Sequence, residues 1–230
     1  MLKRFYVNSV IDNLKTALEE CPILSDCTIS IDSGILSITD SNGHRLFECE
    51  RPTNSSTKLF RWRTYASNES YAQSRIGTDS GSAYGYFPYC YVCDNGAVIY
   101  THAWDSNHGM PIRIVKTNDN RIAFISYQIS SGYPAETTKG FKQDLQCIAW
   151  GDIEPFKWFD IPNRYDTHAM VVPMLTNSDA NVVSYTVKSG FMPYSTQDAA
   201  MKVIDIAGKK YLADGYFAIE FEDSEETEES

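Results

Sequence analysis

The chain has 230 residues, enough for one large domain or for one domain with a small appendage. A hydrophobic content of 43% and an aromatic content of 13% exclude a disordered chain. The net charge of −10 comes mostly from the last eleven residues, which hold seven acidic side chains, while the rest holds 23 acidic and 20 basic ones. The body is therefore nearly neutral and lacks the dense basic patch of a nucleic-acid-binding protein.

Six cysteines at irregular spacings are too few for a disulfide framework in a chain of this length. Free thiols in a reducing cytoplasm are the simpler interpretation. The first residues lack the apolar segment of a secretory signal. No apolar run approaches the ~20 residues of a membrane-spanning helix, so we expect no membrane span.

The first predicted element is an amphipathic helix over residues 9–21. Apolar side chains recur there at spacings of three and four, with Leu14 and Leu18 on the apolar face. Ser9 is the predicted N-cap, with Asp12 three positions later, and a proline follows the helix. The helix either lies on a sheet of the same chain or docks on a partner subunit.

A small antiparallel meander is predicted next, with strands at residues 27–31, 35–39 and 44–50. The polar, turn-rich residues 51–58 resemble a linker. We therefore predict an N-terminal unit over 1–58. Such a unit would be marginal unless it packs on the rest of the chain or on another subunit.

The remaining chain predicts a main antiparallel β domain over residues 59–221, followed by an acidic disordered tail over 222–230. Its centre is a hairpin over 84–101, in which Asn95-Gly96 indicates a type I′ turn with positive φ at both residues. Residues 66–82 are expected to be a surface loop. Further strands are predicted at 59–65, 112–116, 121–129, 145–150, 169–175, 182–187, 190–196, 202–207 and 211–221.

Turn signals every 8 to 12 residues favour a mainly β (α+β) fold. The form expected is an antiparallel β-sandwich or a partly closed barrel, with the N-terminal amphipathic helix and the small meander attached.

A metal site is one interpretation of Cys90-x-x-Cys93, because His102 and His108 follow at short range. Residues three apart on a strand point to opposite faces of a sheet, however, and a zinc Cys-x-x-Cys normally lies in a turn. We therefore expect two ordinary strand cysteines, and neither a metal nor another cofactor.

Catalytic and sugar-binding patterns are present but ambiguous. His102 with Asp105, or Asp166 with His168, would suit a hydrolase triad, although surface turns contain the same residue types. No Gly-x-Ser-x-Gly motif accompanies them. A sugar-binding platform or glycosidase is the other alternative, on acidic and aromatic residues that lie together: Trp150, Asp152, Glu154, Phe156 and Trp158.

Two stretches resemble the small, β-rich structural proteins of tailed bacteriophages and prophages of gut bacteria. They are Tyr-Val-Cys-Asp-Asn-Gly-Ala-Val-Ile-Tyr-Thr-His over 91–102 and Lys-Tyr-Leu-Ala-Asp-Gly-Tyr-Phe-Ala-Ile over 210–219. The resemblance extends over residues 84–102 and 182–221. It implies a virion component of a tail, baseplate, collar or head, made in the bacterial cytoplasm, and it carries over no catalytic residue.

The leading hypothesis is therefore a non-enzymatic structural protein that packs against copies of itself and other particle proteins, forming a homo-oligomer. The alternatives are a module that binds carbohydrate or a host-surface glycan, and a hydrolase. Eight apolar and aromatic residues are the predicted interface: Leu14, Leu18, Phe60, Trp62, Tyr65, Trp104, Trp158 and Phe159.

Overall fold

The computed structural model describes residues 1–51, 60–69, 71–76, 85–103, 111–127, 145–151, 175–177, 183–186, 191–193, 201–214 and 217–222. The elements in chain order are β1 (Lys3–Tyr6), α1 (Ile11–Glu19), a short 3-10 helix (Pro22–Leu24), β2 (Thr28–Asp32), β3 (Ile35–Thr39), β4 (Arg45–Glu50), β5 (Phe60–Tyr65), β6 (Tyr71–Ile76), β7 (Gly85–Cys93), β8 (Gly96–Ala103), β9 (Ile112–Lys116), β10 (Ile122–Tyr127), β11 (Leu145–Ala149), β12 (Leu175–Asn177), β13 (Val183–Thr186), β14 (Phe191–Pro193), β15 (Lys202–Ile206), β16 (Lys209–Ala213) and β17 (Phe217–Phe221).

The strands form antiparallel sheets. One sheet has the order β2-β3-β4-β5-β6, a second β1-β7-β8-β9-β10-β11, a third β14-β17-β16-β15, and β12 pairs with β13. The prediction of a mainly β, antiparallel fold is confirmed. Of its two forms, the described sheets take the layered, sandwich-like one, because each sheet is open and has two edge strands.

Two hydrophobic cores lie on opposite faces of the six-stranded sheet. The first core lies against α1 and the five-stranded sheet, and it includes Leu14, Leu18, Leu36, Phe47, Phe87, Ile99 and Phe124. The second core lies against the four-stranded sheet, and it includes Val98, Val115, Ile125, Leu212, Phe217 and Ile219. Neighbouring residues alternate between the two cores, as the two-residue period of a strand requires. The six-stranded sheet is thus the middle layer.

The helix α1 packs on β2, β3 and β7 through Leu14, Ala17 and Leu18, which are buried. This confirms the interpretation of a helix lying on sheets of its own chain. The predicted cap is wrong, because Ser9 lies in the left-handed region (φ 58°) and its Oγ accepts the N–H of Phe87 at 3.0 Å. Among the described residues no helix has the length and apolarity needed to cross a bilayer.

The predicted boundary at residue 58 does not divide the described chain. β4 pairs with β5 directly across it, with Glu50 opposite Arg61, and β1 pairs with β7 with Phe5 opposite Cys90. The first core also contains residues from both sides, among them Val7 and Phe124. A helix and three strands bury too little apolar surface alone, so the N-terminal segment is built into both larger sheets.

The central hairpin of β7 and β8 is confirmed, but its turn differs from the type I′ prediction. Cys93 pairs with Gly96, and neither Asn95 nor Gly96 has a positive φ. Gly96 is required for another reason: a Cβ there would lie 2.4 Å from the carbonyl oxygen of Ile114 in β9. Paired positive φ angles occur instead elsewhere, at Ser33-Gly34 and at Ala207-Gly208.

Two strand predictions are also corrected. The expected loop at 66–82 contains β6, which pairs with β5 along its whole length and forms an edge of the five-stranded sheet. The expected closing strand at 211–221 is two strands, β16 and β17. The chain turns after Asp214, whose carboxylate Oδ1 accepts the N–H of Phe217 at 3.0 Å.

A buried ion pair joins the middle sheet to the four-stranded sheet. Arg113 on β9 donates from Nε to Asp214 Oδ2 at 2.5 Å and from Nη2 to Asp214 Oδ1 at 2.9 Å. Both side chains are almost fully buried, with 0% and 2% exposed. The guanidinium also lies over the ring of Phe217, 4.5 Å from its centroid. This bidentate geometry satisfies two charges that would otherwise be costly to bury.

Candidate ligand-binding cleft

A cleft of about 370 Å³ opens where the two larger sheets meet. Three separate parts of the chain form it: the segment from the 3-10 helix through the β3–β4 turn, the β9–β10 turn, and the residue that follows β11. Its lining residues are Ile23, Asp26, Cys27, Asp40, Ser41, Asn42, His44, Leu46, Lys116, Asn120, Arg121, Ile122 and Trp150.

The β3–β4 turn holds an Asp–His pair at the cleft. Asp40 Oδ1 accepts the backbone N–H groups of Asn42 at 2.9 Å and His44 at 2.8 Å, which fixes the turn. Asp40 Oδ2 lies 2.9 Å from His44 Nδ1. Burial alone would raise the pKa of Asp40, but the hydrogen bonds from His44 and Asn42 outweigh it and lower that pKa. Asp40 is therefore a carboxylate near neutral pH.

His44 and Trp150 form an aromatic wall. Their rings stack with centroids 4.5 Å apart and an interplanar angle of 13°. The indole is half-buried and packs against the first core, while the His44 side chain is 38% exposed. Stacking on the tryptophan and pairing with Asp40 together fix the orientation of the imidazole.

Arg121 holds the other side of the wall in place. Its Nη1 donates to the carbonyl oxygen of Trp150 at 2.8 Å, and its Nε donates to Asp119 Oδ2 at 2.8 Å. The next residue, Gly151, has a φ of 87° and donates its N–H to the carbonyl oxygen of Ala66 at 2.8 Å. The position of Trp150 is thus set by contacts from the β9–β10 turn and from the residue that follows β5.

Cys27 is the thiol in the cleft. Burial is the main cause that raises its pKa, the carboxylates of Asp40 and Asp26 raise it further, and the Lys116 ammonium opposes them. A thiol with a raised pKa stays protonated near neutral pH and is a poor nucleophile. The Cys27, His44 and Asp40 side chains therefore lack the activated thiolate that cysteine catalysis requires.

The arrangement suits non-covalent binding of a polar molecule with one apolar face. Its volume falls within the ~300–1,000 Å³ typical of small-molecule sites, and it combines an aromatic wall with a few polar groups. Within the part of the chain that the structure describes, no group of three or more His, Cys, Asp or Glu side chains is placed to hold a metal ion.

Comparisons with known proteins add no family to this geometry. No family model, curated protein or solved structure matches the chain.

Five of the eight predicted interface residues lie in the interior of the chain. Exposed fractions are 0% for Leu14, Leu18 and Phe60, 2% for Trp62 and 5% for Tyr65. Side chains without exposed surface cannot contact a second subunit in this conformation, so they are core residues rather than interface residues. The other three, Trp104, Trp158 and Phe159, lie outside the described residues.

The two cysteines weighed as metal ligands lie on opposite faces of the middle sheet, as the strand geometry predicts. Cys90 packs in the first core and Cys93 in the second. Burial raises the pKa of the Cys90 thiol strongly and that of the Cys93 thiol to about 11. Both thiols are free, as are those of Cys21, Cys27 and Cys49.

Most of the other predicted candidates lie outside the described residues: Asp105, His108, Asp152, Glu154, Phe156, Asp166 and His168. His102 lies in β8, opposite Tyr86, but its side chain is not described. The hydrolase pairings therefore remain predictions. Of the predicted sugar-binding group, Trp150 is described, and it lines the cleft.

Sequence reasoning missed the partners of Trp150. The pairing of His44 with Asp40 has a local signal in the sequence, an Asp-Ser-Asn-Gly turn followed by histidine. Lys116 and Arg121 flank another predicted turn, at residues 117–120. This turn and the β3–β4 turn come together only where the two larger sheets meet, which no local sequence pattern contains.

Proposed function

We propose that the protein is a non-enzymatic binding module whose cleft holds a saccharide. The observation that carries this proposal is the stacked His44–Trp150 wall inside a concave site that also contains Asp26, Asn42 and Asn120. Trp150 also belongs to the group of acidic and aromatic residues on which the carbohydrate-binding alternative rests in the sequence.

The chemistry of a sugar ring explains why these groups would act together. One face of the ring presents C–H groups and packs on an aromatic surface, while the hydroxyls at its rim donate and accept hydrogen bonds. The carboxylate of Asp26 would accept from hydroxyls, and the amides of Asn42 and Asn120 both donate and accept. The fixed orientation of the wall lowers the entropy lost on binding.

The test begins with a glycan array and continues with calorimetric titration of the strongest hit. Replacement of Trp150 by alanine should weaken binding at least about tenfold, because it removes most of the apolar wall. Trp150→Phe keeps an aromatic ring at this position and should therefore retain part of the affinity. It distinguishes a loss of the aromatic wall from a loss of folding.

Tyr71→Ala is the matched control, since it removes an aromatic side chain that is 41% exposed and does not line the cleft. It should leave the affinity unchanged. If the wild-type protein binds no glycan on the array and no neutral or acidic oligosaccharide in titrations, the proposal is wrong.

A second candidate is the structural role that the phage resemblance implies, in which copies or particle neighbours pack against the chain. It is favoured by a partly exposed strip, here called the tyrosine strip, formed by Arg4, Tyr6, Tyr89 and Tyr91 on paired strands β1 and β7. Tyr6 is 65% exposed, its ring lies 5.6 Å from that of Tyr89, and Arg4 lies over the Tyr89 ring at 4.9 Å. Tyrosine and arginine are enriched at protein interfaces.

The structural candidate is tested by native mass measurement over a range of concentrations. An oligomer is expected, and Tyr6→Asp should shift it towards monomer because it places a charge at the centre of the contact. Val203→Asp, on β15 and 52% exposed, is the matched control. A wild-type protein that stays monomeric at high concentration, with no particle partner retained on mixing, argues against this role.

A further inference from the structure

We propose that the saccharide held in the cleft carries a carboxylate, as a hexuronic acid does, and that Lys116 pairs with it. This inference rests on the saccharide-binding function proposed above and names its ligand class.

Two of the charged groups in the cleft already have partners. Asp40 accepts hydrogen bonds from the backbone of Asn42 and His44 and lies against the His44 ring. Arg121 is held by Asp119 and by the carbonyl oxygen of Trp150. These groups build the walls of the site, and their charges are largely compensated without a ligand.

Lys116 differs from them. It is the last residue of β9, is half-buried, and lines the cleft without an ion pair to any residue that the structure describes. Its ammonium lowers the pKa of the Cys27 thiol, which also lines the cleft, so its positive charge acts inside the site. A half-buried ammonium has lost part of its hydration, so an anionic ligand group gains more there than at an exposed lysine.

Asp26 supplies the complementary group. It is exposed, also lines the cleft, and its carboxylate can accept hydrogen bonds from ligand hydroxyls. A sugar with hydroxyls and one carboxylate would use Asp26, Lys116 and the His44–Trp150 wall together. A neutral sugar would use the wall and Asp26 but offer no anionic group to the ammonium of Lys116.

The experiment compares a β-1,4-linked oligoglucuronate with the cello-oligosaccharide of equal length, by titration calorimetry of the full chain at low and at moderate salt. The uronate should bind about tenfold more tightly at low salt, and its advantage should shrink as salt screens the pair. Lys116→Met should abolish the preference, so that the two oligosaccharides bind with about equal affinity.

Lys202→Met on β15 is the matched control and should retain the full preference, since that lysine does not line the cleft. Equal affinity for the two oligosaccharides would overturn this inference while leaving the saccharide-binding function in place. A preference that survives Lys116→Met would overturn the role of Lys116. Absence of binding to both oligosaccharides and to every arrayed glycan would remove the proposed function as well.

Discussion

The two cores on either side of the middle sheet are held together in different ways. The first core is apolar and aromatic, with the buried rings of Phe47 and Phe124 stacked at 5.1 Å. Among the described residues the second core is smaller, and it has the Arg113–Asp214 ion pair buried beside Phe217. Apolar packing is non-directional, whereas a bidentate ion pair needs one geometry. We expect the first core to supply most of the stability. We expect the ion pair to fix the orientation of the four-stranded sheet on the six-stranded sheet.

The largest effect should come from breaking the ion pair on one side. Arg113→Met leaves the Asp214 carboxylate buried without its main partner, which should cost about 3–5 kcal/mol in the free energy of unfolding. Urea denaturation measures this loss. The double variant Arg113→Met/Asp214→Leu should recover most of it, because no uncompensated charge remains buried. A double variant as unstable as the single one would show that the pair contributes stability and not only geometry.

Truncation in the first core should have a somewhat smaller effect. Leu18→Ala on α1 removes a side chain with no exposed surface and should cost about 2–5 kcal/mol, the range for a buried leucine whose cavity only partly collapses. The matched control is Val203→Ala at an exposed edge, which should change stability by less than about 0.5 kcal/mol. Similar values for the two variants would contradict the assignment of α1 to the first core.

A substitution at Gly96 probes the packing of the middle sheet, which contributes side chains to both cores. Gly96→Ala places a methyl group against the Ile114 carbonyl, so β8 and β9 must separate, at a cost of about 1–3 kcal/mol. Gly34→Ala is a useful contrast, because nothing lies within 4 Å of a Cβ there and the strain comes only from its φ of 82°. Loosening of β8 against β9 should appear as faster amide exchange in both strands for Gly96→Ala alone.

The smallest effect concerns the cleft, at the border of the first core. Because the folded-state pKa of Asp40 is lowered, its contribution to stability is present above the unfolded pKa of ~3.9 and is lost as pH falls through the lowered value. Asp40→Asn should therefore cost about 1 kcal/mol at pH 7. The difference in the free energy of unfolding between Asp40→Asn and wild type, measured by urea denaturation, should vanish at low pH. A difference that stays constant down to pH 2 would contradict the cause assigned to the shift.

The sheet architecture could be predicted from the sequence to a large extent, because strands alternate locally and turns have local signals. β3 and β9 lie at their predicted bounds, and the hairpin of β7 and β8 at nearly its predicted ones. β6 was missed because its pairing with β5 depends on backbone hydrogen bonds at a sheet edge, which leave little trace in residue type.

The site was less predictable. Large aromatic residues suit a core as well as an interface, so Phe60 and Trp62 carried no information about exposure until the layers were placed. The approach of His44 to Trp150 depends on how the five- and six-stranded sheets meet, and this is a tertiary property. Local turn chemistry could have predicted the pairing of His44 with Asp40, but not the ring that His44 stacks on.

The placement of Cys90 and Cys93 on opposite faces of one strand has a consequence for how opening motions can be observed. Each sulfur is covered by a different layer, and the exposed fraction is 0% for Cys90 and 2% for Cys93. Alkylation of the first therefore requires separation of the helix and the five-stranded sheet, and alkylation of the second requires separation of the four-stranded sheet. Mass spectrometry of the two modified peptides would time these events independently within a single strand, and would show which layer detaches first.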